Sequence, residues 1–290
     1  MRTHQVLGGG GLKLHVVEGG NAHGRPIVFL HGASQSHLQW NRQMNSSLAG
    51  DHRLVALDMR GHGLSEKLPD CYTDSQLWAD DVNAVIQELH LDHPVLSGWS
   101  YGPLVILDYI RHYGEEQLGG IQFVGAVTKL GTQDAMAVLT PEFLSVVPKF
   151  LSTDAETCIA GLKGLLRLCF AQEPSPSELY MMLGYNASVP SHVRQGLFSR
   201  SFGNDDLLPK IRKPVLITHG ALDAIVKPAV VDQHKSAMPH AQVQLMANVG
   251  HAAFWDDASG FNARLHAFCE SLQGHGAKDQ SAPARVVGAV

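Results

Sequence analysis

The chain has 290 residues, room for one large domain or two small ones at ~150 residues each, and its 44% hydrophobic and 17% charged content excludes disorder over most of its length. Its 22 basic and 27 acidic residues leave a formal charge of −5 with no basic run, which excludes a nucleic-acid footprint. Met1 to Gly11 lack the apolar core of a signal peptide and no apolar stretch approaches the ~20 residues of a membrane span, so a cytoplasmic protein without nucleic-acid or membrane partners is expected.

Leu12, Leu14 and Val16 alternate with Lys13 and His15, the period of a half-exposed strand and one arm of an antiparallel hairpin. Short continuous apolar runs follow at Ile27 to Leu30, Leu54 to Leu57, Val95 to Leu96, Phe123 to Val127 and Val215 to Ile217, as expected of strands buried on both faces. Between and after them, helical spacing predicts helices from Ser75 to His90, Pro103 to His112, Pro228 to Ala237 and Asp256 to Leu272. Strands alternating with helices give an α/β class, with a mostly parallel central sheet covered by helices on both faces.

Val127 and Pro214 lie 87 positions apart, far more than one crossover helix needs. The interval contains two capping-box patterns, Thr153 to Glu156 and Ser175 to Glu178, each followed by helically spaced apolar residues, which predicts a small helical lid. The expected division is therefore a core of residues 1–129 and 209–273, a lid of 130–208 and a disordered tail of 274–290. The lid carries Phe143, Phe150, Phe170, Tyr180, Met181, Met182, Tyr185, Phe198 and Phe202, most of which must pack the lid itself.

Four well-separated cysteines without CxxC spacing read as reduced. Among the 17 histidines no HExxH occurs, and the close pair His90 and His93 has no other ligand nearby, so neither metal nor cofactor is expected.

Gly98-Trp99-Ser100-Tyr101-Gly102 is a GxSxG pentapeptide set between a strand and a helix, where a tight turn exposes the serine hydroxyl and the helix N-terminus favours a nearby oxyanion. Three further segments stand at strand ends, His31-Gly32, Asp58-Met59-Arg60-Gly61-His62-Gly63-Leu64-Ser65 and His219 to Asp223, and Val249-Gly250-His251 puts a histidine in the loop before the last predicted helix. On these residues the chain resembles the α/β-hydrolase superfamily over roughly residues 10–272, in its lid-bearing serine esterase form.

The resemblance implies acyl transfer with Ser100 as nucleophile, His251 as base and Asp223 as acid, in the Ser…Asp…His order of the fold. Asp134 is the rival acid and His240 the rival base. The backbone N–H groups of Tyr101 and Ala33 are expected to form the oxyanion hole, with Ser34 able to displace Ala33. His31, Ser34, Trp40, Trp99, Phe143 and Tyr185 are candidates for the substrate pocket, His31 also as a structural hydrogen-bonding group. Asp58 and Arg60 read as a carboxylate-guanidinium pair holding a turn. The implied substrate is an apolar or aromatic carboxylic ester, thioester or lactone. Carbon-carbon bond hydrolysis, cofactor-free perhydrolysis and acyl transfer share the triad, and a binding protein without turnover on the same scaffold is the reading from another class. The sequence leaves the oligomeric state open.

Overall fold

Apolar runs bounded by Pro and Gly become the strands of one sheet in the computed structural model, which describes residues 1–272. The tail expected at 274–290 lies outside the described residues. The strands are β1 (Arg2–Leu7), β2 (Lys13–Gly20), β3 (Arg25–Leu30), β4 (His52–Asp58), β5 (Val95–Trp99), β6 (Gly120–Val124), β7 (Val215–Gly220) and β8 (Gln242–Met246). Their order is β1-β2-β4-β3-β5-β6-β7-β8. β2 runs antiparallel to both its neighbours, and every pairing from β4 through β8 is parallel.

Every residue of β5, β6 and β7 is buried, as it must be when both faces of a parallel sheet are covered. β2 instead alternates exposed Lys13 with buried Leu14 near its start, at the half-solvated side of the sheet. The helices that follow the strands are α1 (Ser75–Glu88) and α2 (Gly102–Tyr113), then, beyond an insertion, α8 (Val230–Ala237) and α9 (Ala258–Ser271).

Between β6 and β7 come α3 (Gln133–Val138), α4 (Pro141–Phe150), α5 (Ala155–Cys169), α6 (Pro176–Ala187) and α7 (Ser191–Phe198). The Ser175 to Glu178 capping box forms as expected, with both reciprocal bonds present. The Thr153 box does not: Asp154 caps α5, accepting from the Thr157 amide at 2.9 Å, because its carboxylate is a charged acceptor one residue nearer the helix. Two other boundaries differ from expectation. β6 stops at Val124, since Gly125 turns the chain with φ of +50°. The last predicted helix is broken at Asp257, which caps α9 by accepting from the Gly260 amide.

Candidate active site

The turn from β5 into α2 is tight enough to leave no room for a side chain two residues before or two residues after the serine. A Cβ on Gly98 would lie 2.7 Å from the backbone of Gly102 and Pro103, and one on Gly102 would lie 2.5 Å from the Leu30 carbonyl oxygen. Ser100 itself takes a φ of +59°, the left-handed region that a non-glycine residue occupies at a cost. The strain is sustained by the end of β6: the Ser100 amide donates to Val124 O at 2.9 Å, and Val127 N donates to Ser100 O at 3.1 Å.

His251 and Asp223 arrive from the loops after β8 and β7. His251 Nδ1 donates to Asp223 Oδ2 at 2.8 Å, while Oδ1 accepts the Ile225 and Val226 amides at 2.8 and 2.9 Å. His219 Nε2 stands 3.1 Å from the same Oδ2. Burial alone would raise the Asp223 pKa, yet the His251 charge and the hydrogen bonds from His219 and His251 outweigh it and hold the carboxyl well below the usual range. The acid is thus ionised and fully used. His251 Nε2, by contrast, is buried and has no partner among the described residues. The indole of Trp99 fixes this loop, its Nε1–H donating to His251 O at 2.9 Å.

His31-Gly32 closes β3 against the serine turn, where a Cβ on Gly32 would stand 3.1 Å from Ser100 Cβ. The Ala33 and Tyr101 amides have no acceptor among the described residues. The Ser34 amide is taken, donating to His62 Nε2 at 3.1 Å. Ser100, His251, Ala33 and Tyr101 all line one cavity with about 560 Å³ of space free of atoms, some of it open to solvent. The rest of its wall is largely apolar, with Val127, Leu130, Leu139, Phe143, Phe150, Leu165, Phe198 and Ile225.

The α/β hydrolase fold family matches residues 25–258 of the sequence. The chain belongs to the α/β-hydrolase family. Two solved structures align with nearly all of it. One is a Burkholderia cenocepacia protein assigned as an aryl esterase, 33% identical, with 94% of this chain and 100% of the other covered at a TM-score of 0.88. The other is the esterase RhEst1 from Rhodococcus sp. ECU1013, 32% identical, covering 94% and 100% at a TM-score of 0.87. A bifunctional esterase/perhydrolase of Acinetobacter calcoaceticus is 28% identical over 264 residues, 85% of this chain and 92% of that protein.

Within this α/β-hydrolase, Trp99 and Phe143 line the cavity, and four other pocket candidates do not. Trp40 is wholly buried, its ring 4.8 Å from Phe29 and 4.3 Å from Phe254, because a large indole fills the gap beside β3. The Tyr185 hydroxyl turns away to donate to Gln39. His31 is wholly buried, donating from Nδ1 to Gly32 O at 2.8 Å and accepting Met59 N at Nε2, and Ser34 points its amide at His62. The rival acid Asp134 sits exposed in the first turn of α3, and exposed His240 contacts Lys213 O.

The Asp58 to Arg60 ion pair does not form. Asp58 instead accepts the His37 amide, His37 Nδ1 and the Leu64 amide, and Arg60 makes two 2.7 Å bonds to Asp81 of α1. Arg60 reaches across to that helix because a guanidinium fork binds a carboxylate best with two parallel bonds. Gln35 is a cavity residue that sequence reasoning missed; Asn186 donates to its Oε1 at 3.3 Å. No pattern marks it, since the turn after β3 has no periodicity.

Proposed function

We propose that the protein is a serine hydrolase cleaving a carboxylic ester of an apolar or aromatic small molecule through a covalent acyl intermediate. The observation that carries this reading is the state of His251: Nδ1 is held by an ionised Asp223 at 2.8 Å, while Nε2 is unpartnered and the ring shares a cavity with Ser100. As Ser100 Oγ attacks the ester carbonyl, His251 Nε2 takes its proton and Asp223 stabilises the imidazolium. The oxyanion forms against the Tyr101 and Ala33 amides, the two left without acceptors; His62 keeps the Ser34 amide out of that role. His251 then returns the proton to the leaving alkoxide as the C–O bond breaks, and water repeats the sequence on the acyl group. None of these steps calls on a cofactor.

The helices of residues 130–208 act in this reading as a lid whose Phe143, Phe150, Leu165 and Phe198 supply the apolar surface for the acyl or aryl group. Thioesters and lactones fit the same chemistry. Perhydrolysis on the same residues is a second reading, favoured by the similarity to the Acinetobacter esterase/perhydrolase.

The test is a series of aryl esters graded by acyl length, run beside a serine-reactive phosphonate. Turnover and labelling are expected in the wild type and absent in Ser100→Ala. A wild type that is not labelled, or equal labelling of Ser100→Ala, overturns the assignment; labelling without multiple turnover points to a binding protein. Peracid formation from acetate and hydrogen peroxide measures the second reading.

A further inference from the structure

The first residue of β4 faces α9. His52 Nε2 lies 3.0 Å from His266 Nδ1, although the two are 214 residues apart in sequence. Glu270 stands one turn beyond His266 on α9, and one ligand atom from each of His52, His266 and Glu270 lies within 4.8 Å of the other two. A fourth group adjoins them, Asp51 Oδ2 at 3.8 Å from His266 Nδ1. His52 is buried, whereas His266, Glu270 and Asp51 reach the surface. An open pocket lined by Ser46, Leu48, Asp51, Asn262 and His266 gives solvent ions access to this side.

We infer that His52, His266 and Glu270, with Asp51 or water as a fourth ligand, form a binding site for a divalent transition metal of the zinc type. Two imidazole nitrogens aimed at each other share one proton at most. A cation between them replaces that single bond with two, and the two carboxylates neutralise its charge. Tetrahedral zinc with ligand distances of roughly 2.0–2.2 Å sets its ligand atoms about 3.4 Å apart. The imidazole pair is already near that spacing, and a Glu270 carboxylate oxygen lies within 4.8 Å of both nitrogens. His52 Nδ1 is buried without a partner among the described residues, and ligation at Nε2 replaces the one bond the ring makes, to His266. Imidazole donors select zinc, nickel, copper or cobalt over calcium and magnesium. The ion would staple the start of a central strand to α9, and metal would therefore stabilise the fold by mass action. The site does not depend on the ester hydrolase reading.

The full chain is titrated with Zn²⁺ by calorimetry and thermal unfolding, and with Co²⁺ by visible absorption. Saturable one-site binding, a Tm that rises with zinc, and the intense bands of tetrahedral cobalt are expected, with no response to Ca²⁺ or Mg²⁺. His266→Ala and Glu270→Gln, on the exposed side of the site, are expected to lower affinity by at least about tenfold while ester turnover stays unchanged. Absence of saturable zinc binding, or affinity retained within about tenfold in both variants, overturns the site. A loss of ester turnover in Ser100→Ala leaves this result unaffected, which keeps the two assignments separable.

Discussion

Arg200 donates from Nη1 to the Tyr101 hydroxyl at 3.1 Å, while its Nη2 holds both oxygens of Asp108 at 2.8 Å. Arg200 follows α7 and Asp108 lies in α2, so this contact binds the end of the inserted helices to the residue that follows Ser100. The side chains of the pair are 2% and 4% exposed, too little for water to replace either partner. Arg200→Met is therefore expected to cost roughly 3–5 kcal/mol by leaving a buried carboxylate unpaired. Arg200→Met with Asp108→Leu should recover most of that. Urea unfolding of the single and double variants checks this, and a single-variant loss below about 1 kcal/mol would show that the pair behaves like a surface one.

The places of Ser100 and Asp223 were legible because the hydrophobic runs that mark β5 and β7 also mark where those strands end, and His251 stands in the loop between β8 and the last helices of the described residues. Trp40 and Tyr185 were not. Both are aromatic residues near the site in sequence or in the insertion, and only packing decides whether such a ring faces a cavity or the core. Arg60 was misassigned because the nearest carboxylate in sequence, Asp58, is consumed by His37 and Leu64, leaving the guanidinium to a helix 21 residues on. The His52 and His266 contact has no sequence signature at all, being set by how α9 crosses the start of β4.

Asp223→Asn should keep the geometry of the loop and lose the charge that stabilises the imidazolium. A fall in kcat of about 10⁴ is expected, by analogy with acid replacements in serine proteases, and His251→Ala should fall at least as far. Both are measured on the preferred aryl ester, with phosphonate labelling as a second readout. Near-normal turnover in either variant would remove that residue from the reaction.

Three buried histidines predict an acid-labile fold. Burial pushes His31 and His234 down to about 4 and His62 down to about 3, so all are neutral in the folded protein at pH 7. Unfolding returns them to about 6.5. From about pH 6.5 down to 4 the unfolded chain binds protons the folded chain does not, and stability falls with pH across that window. Asp108 runs the other way: burial pushes it up to about 6 against the pull of Arg200, so the folded chain holds a proton there that the unfolded chain lacks. Three groups outweigh one, each pKa unit being worth about 1.4 kcal/mol. The urea midpoint should drop between pH 7 and pH 5 with an unchanged m-value; equal midpoints would contradict the neutral assignment.

Phe198 lines the cavity from α7, packing edge-on against Phe150 at 5.3 Å, and is only partly buried. Phe198→Ala should therefore lengthen the pocket at modest cost to the fold. Each methylene accommodated is worth about 1–3 kcal/mol, so kcat/KM should shift toward longer acyl chains by about tenfold or more relative to acetate. An unchanged chain-length profile would place the acyl group elsewhere in the cavity.

Gly125 offers the most selective probe of the base. Its φ of +50° ends β6, and a Cβ added there would stand 2.8 Å from His251 Nδ1 and 3.0 Å from Cε1. The left-handed conformation costs an alanine roughly 1–2 kcal/mol, which a chain of this size tolerates. The contact cannot be relieved without moving either the imidazole or the turn, and Nδ1 is the atom that Asp223 holds at 2.8 Å. Rotating the ring away weakens that bond and re-aims Nε2, the nitrogen that takes the serine proton in the proposed reaction. A misplacement of about 1 Å costs on the order of 10²-fold in rate. Gly125→Ala is thus expected to lose at least that much kcat while Tm falls by only several degrees. Gly50→Ala, where nothing lies within 4 Å of the added carbon, supplies the control and should leave both unchanged. If Gly125→Ala keeps full turnover, the histidine has more freedom than a base held at Nδ1 by Asp223 allows.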